Sequence, residues 1–81
     1  MNKSDVELFK KTLGEKGFYE MVANNHINDI VAYLFGQKNK DLAMKSLKEA
    51  LFFLIKSGLT QDQAMAKIDN DVKTLKKIRG H

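Results

Sequence analysis

At 81 residues the chain has room for one domain, read as 1–81, which buries only about 60–65% of its unfolded surface. A hydrophobic content of 43% with 30% charge excludes disorder, and the lack of cysteine excludes disulfides and thiolate metal sites. The net charge of +4 is local: Lys73, Lys76, Lys77 and Arg79 close the chain without an acid among them, and the rest balances at ten basic against ten acidic residues.

The absence of proline and the five scattered glycines favour helices joined by short turns. Ser4 followed by Glu7 has the spacing of a capping box, with Asp5 adding charge to the first turn. Val6, Phe9 and Leu13 recur at helical spacing, which predicts an amphipathic helix over 4–13. Gly14 and Gly17 bracket a turn, and a second helix follows over 18–35. On it Tyr19, Ala23, Ile27, Ile30, Val31 and Leu34 share one face, while Phe18, Met21 and Val22 point elsewhere. The phase changes at Asn24-Asn25, residues that prefer caps to helix interiors: either one helix buries two faces at its start or the chain breaks there and re-phases, and the reading is one helix with room for a kink.

The third helix, over 40–57, is the centre of the reading. It holds the uninterrupted run Ala50-Leu51-Phe52-Phe53-Leu54-Ile55 and ends at Ser57, with Gly58 just past it as a natural left-handed terminus. At roughly 100° per residue, Ala43, Met44, Leu47, Ala50, Leu51, Leu54 and Ile55 fall on one broad face. Leu42, Phe52 and Phe53 lie off it and need other cover. The run is too short for a membrane span of about 20 apolar residues.

Thr60 and Gln63 form a second capping box, and the last helix is placed over 60–79. Ala64, Met65, Ile68, Val72, Leu75 and Ile78 line one face, with Asp69 and Lys73 as an i, i+4 pair. The segment Leu59-Thr60-Gln61 onward resembles the opening of helix-turn-helix repressors. That resemblance implies a turn at Asp69-Asn70-Asp71 and a recognition helix carrying Lys73, Lys76 and Lys77. The apolar period runs unbroken from Ala64 to Ile78, as one straight helix requires.

The expected fold is therefore all-α: a compact four-helix bundle (4–13, 18–35, 40–57, 60–79) with the third helix central. No glycine-rich phosphate loop or nucleophile–base pattern is present, and two histidines are too few for most histidine metal sites. His26 with Asp29 or Glu20 is the one helical spacing that suits a metal or acid–base pair. The reading is a non-enzymatic, cofactor-free binding or regulatory protein, without small-molecule substrate or membrane contact. The opening residues lack an apolar stretch of signal-peptide length, which places it in the cytoplasm. Its interface is expected at Leu42, Phe52 and Phe53, with another protein or a second copy as partner; a homodimer suits the small core. The alternative is a nucleic-acid-binding module using Lys73, Lys76, Lys77 and Arg79.

Overall fold

Helical periodicity carries almost the whole chain into three rods, seen in a computed structural model that describes residues 3–80. The rods are α1 (Lys3–Val31), α2 (Lys40–Lys56) and α3 (Gln61–Arg79). A bend at Gly14 divides α1 into arms 3–13 and 15–31, which makes four helical segments and no strand among the described residues. The fold is all-α, as the periodicity predicts.

The break in α1 is smaller than the expected turn. Only Gly14 leaves helical geometry, at φ 76° and ψ 165°, and the helix resumes at once. Gly17 lies inside it, where an added Cβ would stand 3.1 Å from the Cβ of Leu13. At Asn24-Asn25 the chain runs on as one helix, neither broken nor kinked: both side chains face water, and Asn28 Nδ2 donates to the Asn24 carbonyl. A polar side chain that points outward leaves the helical ladder undisturbed. The start of α1 at Lys3 puts Ser4 inside the first turn, so the cap position falls outside the described residues. At the other end, Ala32–Gly36 widens into a π-turn, closed by the Gln37 N–H donating to the Ala32 carbonyl at 2.9 Å.

The remaining helix ends follow local chemistry. Asn39 accepts from the Leu42 N–H to start α2. Thr60 and Gln63 form the predicted reciprocal box at the start of α3. At the end of α2, Gly58 takes φ 114°, so its N–H donates to the Ile55 carbonyl and that of Leu59 to the Leu54 carbonyl. This double return is a Schellman motif, and Leu59 packs back against the core as that motif favours.

The core joins all three rods: Ala23, Ile27 and Ile30 from α1, Ala50 and Leu54 from α2, Ala64 and Ile68 from α3. Small residues at three of these seven positions let the helix backbones approach closely. The buried stripe of α2 is rotated from the expected one. Ala43, Ser46, Ala50 and Leu54 are buried, while Met44 and Ile55 are exposed; His26 and Asp29 of α1 share a pocket with Ser46. On α3, Met65 and Ile78 are also exposed, Ile78 at 74%, since its last turn lies beside Asn28 rather than the apolar core. In the arm 3–13, Leu13, expected to face inward, and Leu8 are both exposed, and none of the arm's described side chains joins that core. The side chain of Phe9 lies outside the described features.

Candidate protein-binding surface

Phe52 and Phe53 are consecutive, so their side chains leave the helix axis about 100° apart and one core face cannot bury both. Phe53 turns towards α1. Its ring stacks on Tyr19 (centroids 6.1 Å apart, 23° between planes) and on His26 (5.8 Å, 6°). His26 Nε2 lies 3.1 Å from Glu49 Oε2, one turn before Phe53 on α2, which fixes the imidazole over the ring. Phe52 points the other way, about 160–180° round the helix from Ala43 and Leu54, and is 54% exposed. It meets Phe53 edge-on at 5.2 Å.

Two ammonium groups lie over this aromatic layer. Lys56 follows Phe52 by one turn, and its Nζ stands 5.2 Å from the Phe52 centroid and 5.7 Å from that of Tyr19. Lys10, from the first arm, reaches 5.3 Å from Phe18 and 5.8 Å from Tyr19. Phe18 closes the layer from below, buried and edge-on to Tyr19 at 5.6 Å. Among the described residues the ion pairs are His26–Glu49, Lys67–Asp71 and Lys73–Asp69, so neither Lys10 nor Lys56 meets a carboxylate there.

Leu42 is not part of this face. It lies near the start of α2, 37% exposed, in a shallow pocket of about 180 Å³ that also has His26, Asp29, Tyr33 and Lys45 on its walls. Ten residues of helix, about 15 Å, separate it from Phe52. The aromatic pair and Leu42 are thus two places. Conversely, Tyr19, His26, Phe18, Lys10 and Lys56 belong to the site and were not anticipated there. The i, i+4 spacing of Phe52 and Lys56 is the one local signal for them; Lys10 arrives through the bend at Gly14, which carries no such pattern.

The four cations of the basic stretch are spread through roughly 160° of α3 rather than sharing a face. Lys73 pairs with Asp69 at 2.9 Å, Lys76 sits 4.9 Å from the Phe35 centroid, and Arg79 Nη2 donates to Asn28 Oδ1 at 3.1 Å. Lys77 is exposed. No turn forms at Asp69-Asn70-Asp71, because α3 runs straight from Gln61 to Arg79; the helix-turn-helix geometry is absent.

His26 pairs with Glu49, not with Asp29 or Glu20, and does so beside an open pocket rather than a deep one. Among the described residues no three His, Asp or Glu side chains are grouped to hold a metal ion, and no helix is long and apolar enough to cross a membrane. Fold and surface together define a small helical protein with one aromatic face bordered by lysine. No protein-family model, curated protein or solved structure matches the chain.

Proposed function

We propose that this chain is a non-enzymatic, regulatory binding protein that acts on another protein through the face built on Phe52 and Phe53. The observation that carries the reading is the pairing of an exposed phenylalanine with a fixed layer of rings behind it. Half-exposed Phe52 sits against Phe53, and Phe53 is held by Tyr19 and His26. A large apolar side chain presented on a rigid backing loses little freedom on binding, the property of an anchor residue. Phe52 is half-exposed on the outer side of α2, and a ring presented outward suits a macromolecule better than a substrate, which needs a concave pocket. A homodimer through this face is one form of the reading. The nucleic-acid alternative has less support, because Lys73, Lys76 and Arg79 are each engaged within the chain and point in different directions.

Affinity capture from cell extract, run in parallel with the chain and with Phe52→Ser, tests this. The expected result is a protein, or a second copy of the chain, retained by the first and lost with the variant while circular dichroism stays unchanged. Loss of helical signal in Phe52→Ser would place the ring in the monomer core. Identical retention by both would remove Phe52 from any interface. Either result ends the reading.

A further inference from the structure

We propose that the occupant of this face is acidic: an amphipathic segment of a different protein, bringing two carboxylates to Lys10 and Lys56 and an apolar side chain to Phe52. The inference rests on the protein-binding reading above and adds the chemistry of the partner.

Charge is the first argument. Both ammonium groups flank the same ring, at 5.8 and 5.7 Å from the Tyr19 centroid, so they are no more than about 11.5 Å apart. That separation matches side chains up to two turns apart on one helix, at about 1.5 Å per residue. The ring faces hold both heads in place by cation–π attraction. Each ammonium nevertheless carries three N–H donors, and neither has a carboxylate among the described residues. Two localised cations beside an exposed phenylalanine are the complement of an acidic, apolar-centred strip.

The other occupants fit less well. A second copy placed on this face by a two-fold axis would bring Lys10 and Lys56 towards their own counterparts, a like-charge juxtaposition. A single-stranded nucleic acid would supply anions, but it binds through free ring faces for its bases. Here Tyr19 already contacts Phe53, Lys10 and Lys56, and Lys56 also covers Phe52. Tyr19 is a seat for cations, and those cations, with the open side of Phe52, are what meets the partner.

One consequence is independent of affinity. Lys10 stands on the arm 3–13, in which Leu8 and Leu13 are exposed. A carboxylate on Lys10 would tie that arm down, so occupancy should slow amide exchange in residues 3–13.

The test uses three synthetic helix-forming peptides, identical except for Glu, Gln or Lys at two positions seven residues apart, with leucines between them. Binding to the full chain is read by fluorescence anisotropy at ~50 mM and ~300 mM salt, and amide exchange is read by NMR. The Glu peptide is expected to bind at least tenfold more tightly than the Gln peptide at low salt, and the Lys peptide not at all. The double variant Lys10→Gln/Lys56→Gln should erase the difference between Glu and Gln peptides, and the arm should gain protection only with the Glu peptide. Equal binding of Glu and Gln peptides, abolished by Phe52→Ser, would overturn the acidic partner and keep the protein-binding reading. Absence of binding by all three at millimolar concentration would also overturn it, leaving capture with Phe52→Ser to decide the broader reading. Two further results would replace it: displacement of the Glu peptide by an oligothymidine 20-mer perturbing the same residues, or a doubled molar mass abolished by Phe52→Ser.

Discussion

The imidazole of His26 and the ring of Phe53 lie 6° from parallel with centroids 5.8 Å apart, which joins α1 to α2 at the edge of the core. The His26–Glu49 contact that orients this imidazole is partly solvated, with the Glu49 side chain 42% exposed, so screening leaves it little energy of its own. Stacking should dominate. His26→Ala is expected to cost about 1 kcal/mol in urea denaturation, whereas Glu49→Gln should cost no more than ~0.5 kcal/mol. A larger loss for Glu49→Gln than for His26→Ala would show that charge, not ring contact, holds the helices here.

Phe52 and Leu54 lie two positions apart and on opposite sides of α2, one half-exposed and the other completely buried. Leu54→Ala should cost about 2–5 kcal/mol through lost burial and the cavity left behind. Phe52→Ala should cost less than about 1 kcal/mol, since its ring already meets water. Thermal melts suffice, because 1 kcal/mol moves the midpoint of a domain this size by roughly 4–8 °C. Equal losses for the two variants would contradict the orientation of α2.

Gly14 sets the position of Lys10. Its φ of 76° with ψ of 165° belongs to a region that only glycine occupies readily. Gly14→Ala has open space for the added methyl, so its effect is conformational rather than steric. The bent form should lose about 1–3 kcal/mol, and a straight, continuous α1 becomes the competing state. The melting midpoint should fall by about 5 °C or more while the helical signal is kept or rises, and the Lys10 contacts to Phe18 and Tyr19 should disappear from NMR spectra. An unchanged midpoint with those contacts intact would refute the bend as the determinant.

Thr60→Ala removes the acceptor for the Gln63 N–H at the start of α3. A loss of about 1 kcal/mol is expected, read from the same melts. Gln63→Ala should cost less, because it frees only the solvent-exposed Thr60 N–H. The reverse order would mean that the reciprocal box is not formed in solution.

Local chemistry makes much of this fold legible in the sequence. The Thr60–Gln63 box, the left-handed terminus at Gly58 and the Asp69–Lys73 pair all appear where the spacing predicts them. Each depends on residues within one or two turns, so neighbours in sequence are enough to decide it. The same holds for the four helical segments, since periodicity in α1, α2 and α3 needs no knowledge of what covers each face.

What remained hidden depends on residues distant along the chain. Periodicity gives the width of an apolar stripe but not which edge a neighbouring helix covers, so it points Met44 and Ile55 inward, whereas the fold exposes both and buries Ser46. Leu42 and Phe52 share an apolar surplus on one helix, yet 15 Å of axis separates them, and only packing shows that Phe53 belongs with Tyr19 and His26. The sequence by itself determined that the chain is helical, the end of α2 at Gly58, the start of α3 at Thr60 and an apolar surplus of Leu42, Phe52 and Phe53 on α2. The tertiary structure alone decided which phenylalanine stays in water and which lysines stand over it, because both outcomes follow from a bend at Gly14 and from the docking of α1 on α2.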